Sequence, residues 1–414
     1  MVTAEDETFL RRALRLAMHG RGHVEPNPMV GCVLVKNGQI IGEGWHQKVG
    51  EAHAEPNAIS DCRARGHSPS GATAYVTLEP CCHTNKRTPP CAPRLIQANI
   101  ARVVIGCLDP NPDVNGRGVA MLRAAGIAVD VLPEAEKPAE DAHGWPSVGV
   151  RPLDASVFRQ LIAPFILRQN ANRSYITTKW AETADRRVAD EGGAPLQISN
   201  AASNFFVHQL RAREQYILVG ANTVLADDPL LNVRHLQPSR LVFRTVLDPH
   251  LRVRPEAKIV TSAMDESAHA LTWIATTQRA IDAKPERRHA LGRFHVRCFA
   301  APEDEKGRID LVALANSQPE HGYFVEAGPT LARAFFEADV CDRLIVIRSP
   351  NALGKSLGVP TAAPIPSHFI EAATIDLAGD TLTEYLNTRS PAFFAAVPSA
   401  DFVLAAESAA RAAN

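Results

Sequence analysis

Four side chains constrain this sequence more than anything else in it: His53, Glu55, Cys81 and Cys91. The first two stand in His53-Ala54-Glu55, and each cysteine follows a proline, in Pro80-Cys81 and Pro90-Cys91. One imidazole and two thiolates form a ligand set for tetrahedral zinc, and three protein ligands leave the fourth position to water. Hydrolysis also needs a carboxylate outside the ligand set to move protons. Glu55 fits that part, whereas a closed structural site would have no use for it. Residues two apart do not share a face in mid-helix, so His53 and Glu55 converge only where a helix begins. Thiolates at a helix start gain from its positive end, which lowers their pKa. The expected site is thus one zinc per chain on His53, Cys81 and Cys91, with Glu55 catalytic. Cys82 adjoins Cys81 and competes as a ligand, although Pro80 favours Cys81. Cys32, Cys62 and Cys107 read as small buried apolar residues.

The pattern around these residues is that of an α/β domain. Thr3 and Asp6 cap a helix whose apolar stripe is Phe9, Leu10, Ala13, Leu14 and Ala17. Strand-like runs over 29–35 and 39–45 flank Asn37-Gly38, a two-residue hairpin turn. A helix starts near His53. Strands over 73–78 and 102–107 bracket a helix over 90–98, and a helix over 119–125 and a strand over 127–132 complete the unit. This alternation predicts layers around a largely parallel sheet.

At 414 residues the chain is too long for one ordinary core. A stretch rich in Pro, Glu, Ala and Gly, 133–151, reads as a linker. A second α/β domain follows, with strands over 174–181, 216–219, 241–247, 271–276, 295–300, 322–325 and 343–348, and a helix over 199–213. The predicted division is 1–148, 149–388 and an Ala/Ser-rich tail, 389–414, expected to be loose. A net charge of -1 with no basic, aromatic-interleaved stretch argues against nucleic acid as a partner. No apolar run approaches the roughly 18 residues of a membrane span. The acidic start, Met1 to Asp6, lacks the basic and apolar regions of a secretory signal, so the expectation is a cytoplasmic protein with reduced thiols.

The loop Glu79-Pro80-Cys81-Cys82-His83-Thr84-Asn85-Lys86-Arg87-Thr88-Pro89-Pro90-Cys91 resembles the bifunctional deaminase–reductases of riboflavin biosynthesis, whose pattern is E-P-C-S-H-x-G-[KR]-T-P-P-C. Further matches are Pro26-Asn27-Pro28-Met29-Val30-Gly31, Gly44-Trp45-His46, Leu108-Asp109-Pro110-Asn111-Pro112 and Gly116-Arg117-Gly118. Cys82 replaces the family's Ser and the loop is one residue longer, so pairing Cys82 with Cys91 would restore the family spacing. The resemblance implies a cytidine-deaminase-like three-layer α/β/α domain followed by a dihydrofolate-reductase-like α/β domain that uses NADPH, in a homo-oligomer. It implies a small-molecule substrate, a phosphoribosylated diaminopyrimidinone, with Asn27 and His46 at the ring and Arg87 at the phosphate.

In the second half the resemblance is carried by Thr178-Lys179-Trp180-Ala181, Leu210-Arg211-Ala212, the run Gly220 to Arg234, and Val325-Glu326-Ala327-Gly328-Pro329-Thr330-Leu331. It implies catalytic roles for Lys179, Asp227 and Glu326. Arg211, Leu231, Arg234 and Glu326 would touch the substrate. Thr223, Asp227, Gly328, Pro329 and Thr330 would touch NADPH, the last three at a helix start suited to phosphate. The family's S-L-D-G-[KR]-I-A is here Thr183-Ala184-Asp185-Arg186-Arg187-Val188-Ala189. Its S-x-W-I-[ST] is Pro195-Leu196-Gln197-Ile198-Ser199, and the first Gly of V-E-G-G is Ala327. These departures leave a second expectation standing, a deaminase whose reductase layer has lost catalysis.

Overall fold

The computed structural model describes residues 2–83, 88–134, 153–189, 197–234, 236, 240–265, 270–353, 359–360, 364–394, 398–403 and 405. It divides into two units, Met1–Ala171 with Phe394–Ala400, and Asn172–Phe393 with Asp401–Asn414.

In the first unit Thr3 and Asp6 cap each other's backbone and start α1 (Ala4–Met18). Strands β1 (Gly31–Lys36), β2 (Gln39–Trp45), β3 (Thr73–Leu78), β4 (Arg102–Cys107) and β5 (Ala128–Val131) form one sheet in the order β2-β1-β3-β4-β5. β1 is antiparallel to β2 and β3, and β3, β4 and β5 are parallel. The β1–β2 turn is Asn37-Gly38, with φ of 53° and 74°, the left-handed pair that matches strand twist. Helices α2 (Ala54–Ala64), α3 (Cys91–Gln97), α4 (Arg117–Ala124), α5 (Ala155–Leu161) and α6 (Ala163–Ala171) complete the unit.

Strand alternation sorts the layers. Cys32, Leu34, Val76, Val103 and Ile105 pack with Ala58, Leu95 and Leu122 of α2, α3 and α4. The opposite face carries α1 and α5. A Cβ on Gly31 would lie 2.0 Å from the Ala13 carbonyl, and one on Gly106 would lie 2.5 Å from the Phe158 ring. The result is the expected three-layer α/β/α arrangement. Asp6 locks α1 to the sheet, accepting from Tyr75 at 2.8 Å and from Arg102 at 2.7 and 3.0 Å. The compact first unit runs on past residue 148 to residue 171, with Phe158 of α5 filling the space over Gly106. Residues 135–152 lie outside the described chain.

The second unit has β6 (Ile176–Glu182), β7 (Arg187–Ala189), α7 (Ala201–Arg213), β8 (Tyr216–Gly220), α8 (Ala221–Asp227), β9 (Val242–Leu247), α9 (Lys258–Thr261), β10 (Ala270–Thr276), α10 (Gln278–Ala283), α11 (Pro285–Gly292), β11 (Arg297–Ala300), α12 (Leu311–Ser317), β12 (Tyr323–Glu326), α13 (Pro329–Glu337), β13 (Arg343–Arg348), β14 (Val359–Pro360), β15 (Phe369–Leu377) and β16 (Asp380–Asn387). Its sheet runs β11-β10-β9-β8-β12-β6-β13-β16-β15, and β7 pairs with β14 separately. Strands β11 to β13 are parallel, and the hairpin β15–β16 adds an antiparallel edge.

Of the tail expected to be loose, Asp401, Phe402 and Ala405 are buried in this unit. Phe402 is buried against Phe206, ring centroids 5.8 Å apart. Asp401 accepts from Arg213 at 2.9 Å and from Arg343 at 3.0 Å. Among the described residues no helix is long and apolar enough to cross a membrane.

Candidate functional site

The end of β2 and the start of α2 are held together by Asn57, which donates to the Trp45 carbonyl at 2.8 Å. His53 is the N-cap of α2 and Glu55 lies in its first turn, the helix-start geometry that spacing demanded. On the other side Cys81 follows β3 and Cys91 opens α3. The two cysteines are coupled through the backbone. The N–H of Cys91 meets the Cys81 carbonyl at 3.0 Å and its Sγ at 3.3 Å. His53 Nδ1 lies 3.7 Å from Cys81 Sγ and 3.4 Å from Cys91 Sγ, and the three donor atoms all fall within 4.8 Å of one another. A soft, three-donor cluster of this size fits zinc.

Cys82 points elsewhere, its Sγ 3.9 Å from the Asp113 carbonyl, so Cys81 joins His53 and Cys91 and Cys82 does not. Glu55 is buried, and burial pushes its carboxyl above the usual range, with Cys81 adding to the rise and His53 opposing it. A carboxyl raised in this way accepts and returns a proton more readily near neutral pH.

Glu79 explains why its motif precedes the cysteine. Its buried carboxylate accepts N–H bonds from Asp109, Gly116 and Val119 at 3.2, 2.9 and 3.1 Å. This fastens the start of α4 under the cysteine loop, and a Cβ on Gly118 would lie 2.2 Å from the Pro80 carbonyl. His46 and Asn27 also meet at this site. Asn27 Nδ2 lies 3.2 Å from His46 Nε2, while His46 Nδ1 lies 3.1 Å from the Ala52 carbonyl. His46 is 2% exposed and burial lowers its pKa, so the ring acts as a neutral acceptor for the Asn27 amide. Arg87, expected at the phosphate, lies outside the described residues.

In the second unit a cleft of about 830 Å³ opens along the carboxyl ends of parallel strands, where α/β sheets bind ligands. Lys179, Thr223, Asp227, Glu326, Gly328, Pro329 and Thr330 all line it. Glu326 and Lys179 are register partners on β12 and β6. Burial lowers Lys179, opposed by Glu326. Burial alone would raise Glu326, but Arg211 and Lys179 hold its carboxyl below the usual range. The start of α13 faces the cleft with Gly328 as N-cap, and a Cβ there would lie 3.1 Å from Thr223 Oγ1. A glycine-tight helix start of this kind fits a nicotinamide cofactor's phosphates.

Three expected substrate residues stand differently. Arg211 forms a bidentate pair with Glu326 at 2.5 and 2.9 Å, instead of presenting a free guanidinium. Leu231 is 4% exposed in a core cluster with Val219 and Ile259, with φ of 48°, so its side chain is packing and does not line the cleft. Arg234 has an exposed side chain beside Asn232 at 2.9 Å, also outside the lining. Sequence reading missed Arg252, Arg308 and Ile309, which do line the cleft.

The departures from the family pattern are accommodated. Arg186 takes φ of 60° at the position of the family's glycine, a left-handed conformation costing roughly 1 kcal/mol in a non-glycine residue. Thr183 and Asp185 brace that turn at 2.6 Å. Ala327 has no positive φ and needs no glycine. Gln197, Ile198 and Ser199 line the cleft, while Pro195 and Leu196 lie outside the described residues.

Fold and sites together define a bifunctional enzyme, a zinc deaminase layer joined to an NADPH-using reductase layer. The cytidine and deoxycytidylate deaminase zinc-binding region matches residues 3–107, and the RibD C-terminal domain matches residues 174–371. The chain belongs to the RibD family of riboflavin biosynthesis proteins. It is 40% identical to riboflavin biosynthesis protein RibD of Escherichia coli (strain K12) over 365 residues, covering 84% of this chain and 89% of that protein. It is 34% identical to RibD of Aquifex aeolicus over 359 residues, covering 87% and 91%. Among solved structures, a diaminohydroxyphosphoribosylaminopyrimidine deaminase/5-amino-6-(5-phosphoribosylamino)uracil reductase from Thermotoga maritima superposes with a TM-score of 0.74 at 29% identity, covering 92% of this chain and 99% of that one.

Proposed function

We propose that this chain catalyses two successive steps. The first is hydrolytic deamination of 2,5-diamino-6-(5-phosphoribosylamino)pyrimidin-4-one to 5-amino-6-(5-phosphoribosylamino)uracil. The second is NADPH-dependent reduction of the ribosyl chain to ribityl. The observation that carries the reading is the convergence of His53, Cys81 and Cys91 on one point with buried Glu55 beside it. Zinc, held by those three residues, supplies the Lewis acidity that makes water nucleophilic at neutral pH. Glu55 takes a proton from the attacking water and returns it to the departing amine, so ammonia leaves as the ring gains its oxygen. Asn27, oriented by His46, binds the ring, and Arg87 binds the phosphate.

In the cleft, NADPH supplies the hydride. Thr223 and the α13 start at Gly328, Pro329 and Thr330 hold the cofactor, with Asp227 between cofactor and sugar. Lys179 and Glu326 position the opened sugar, and Lys179 provides its proton. Arg211 and Arg234 serve the substrate phosphate, Arg211 through the N–H groups that Glu326 leaves over, and Leu231 contributes through its backbone. The reading includes a homo-oligomer in the cytoplasm, where the cysteines stay reduced and Cys81 and Cys91 are free to hold zinc. NADPH oxidation with purified deaminated intermediate tests the second step. Oxidation at the no-enzyme rate, in protein that still releases ammonia from the diaminopyrimidine, would reduce the proposal to its first half.

A further inference from the structure

The zinc reading leaves one donor atom of the cluster without a task, Nε2 of His53. Nδ1 faces both sulfurs, at 3.7 and 3.4 Å. A neutral imidazole carries one ring proton, so an Nδ1 lone pair turned toward a metal puts that proton on Nε2. Nε2 lies 3.2 Å from the hydroxyl oxygen of Thr88. Pro89 and Pro90 follow Thr88 and stiffen the backbone between it and Cys91.

We infer that Thr88 is a positioning residue of the metal site. Its hydroxyl accepts the Nε2–H bond and thereby holds His53 in the tautomer and ring orientation that present Nδ1 to the ion. The inference rests on the zinc reading proposed above. His46 packs against the His53 ring with centroids 5.1 Å apart. Both His46 nitrogens are engaged, with Asn27 and with the Ala52 carbonyl, so His46 supports the ring without replacing Thr88 as acceptor. Thr88 thus ties the loop that carries Cys91 to the helix start that carries His53, and loss of its oxygen would leave the imidazole free to turn.

The test compares full-length wild type, Thr88→Val and Thr88→Ser, each loaded with zinc, by metal content and by the rate of zinc transfer to a chromophoric chelator. Valine keeps the shape and removes the acceptor, whereas serine keeps the acceptor and removes the methyl. Partners of ligating histidines typically change metal affinity about 10- to 100-fold, so Thr88→Val should release zinc at least about tenfold faster and Thr88→Ser should stay within about twofold of wild type. A Thr88→Val protein that retains no zinc while Thr88→Ser is loaded supports the inference equally. Wild-type release from Thr88→Val would overturn it, and so would Thr88→Ser releasing as fast as Thr88→Val, which would assign the effect to methyl packing. A wild-type protein holding no zinc would overturn the zinc reading itself, an outcome that metal content separates from the other two.

Discussion

Replacing Glu55 with Gln removes a proton carrier while leaving volume and hydrogen-bonding capacity nearly unchanged. Glu55 is 3% exposed, so bulk water cannot easily take over its role. The buried acid ahead of the cysteine, Glu79, has both oxygens engaged by three backbone N–H groups and is anchored under the cysteine loop. With no stand-in, the loss should match the full contribution of general acid–base catalysis, about 10²- to 10⁴-fold. In barrier height that is roughly 3 to 5 kcal/mol. His53, Cys81 and Cys91 keep their places, so zinc content should stay at one per chain. The assay is ammonia release from the diaminopyrimidine substrate alongside metal analysis. Activity within tenfold of wild type would refute the shuttle role. Loss of metal in Glu55→Gln with retention in His53→Ala would refute the assignment of ligands.

Three further outcomes are expected. Cys81→Ser should lose zinc and Cys82→Ser should keep it, because only Cys81 joins the cluster; metal analysis showing the reverse would transfer the ligand role to Cys82. Lys179→Ala and Asp227→Asn should each sharply lower NADPH oxidation on the deaminated intermediate while ammonia release stays near wild type, and equal loss of both activities would contradict the division of labour. Asp6→Asn should destabilise the first unit by about 2 to 3 kcal/mol, less than a fully buried pair because Arg102 is part-exposed. Burial works against the Asp6 carboxylate, but its bonds to Arg102, Thr3 and Tyr75 hold its pKa well below the usual range. A depressed carboxyl stabilises above its unfolded pKa, about 4, and that stability is lost as pH falls toward the folded value. The wild-type advantage in urea unfolding should therefore shrink below pH about 4, and an equal advantage at neutral and acid pH would contradict the ion-pair account.

The metal site was legible because its chemistry is local. His53 and Glu55 two apart had to sit at a helix start, and α2 begins there. The Asn37-Gly38 hairpin and the Thr3–Asp6 cap were legible for the same reason. What escaped depends on contacts distant in sequence or on backbone the residue type disguises. The hairpin β15–β16 turns at Ala378-Gly379, with Ala378 at φ of 55°, and alanine does not advertise a left-handed turn. Helices α5 and α6 span only 7 and 9 residues, too short for a clear stripe, so the sequence did not signal their packing with the first unit. Arg211 and Glu326 are 115 residues apart, and no local pattern signals their pairing. Leu231 follows the Asp227-Asp228-Pro229 turn and precedes Asn232, and yet packs in the core.

The most direct test is a two-step product analysis by mass spectrometry on purified full-length protein given the phosphoribosylated diaminopyrimidinone. Without NADPH the product should be the aminouracil with its ribosyl chain intact, one amine exchanged for oxygen. With NADPH that product should gain two hydrogens as the ribityl compound, and cofactor oxidation should match it mole for mole. An unchanged substrate in zinc-loaded protein, or a deaminated product that never gains hydrogen, would contradict the account.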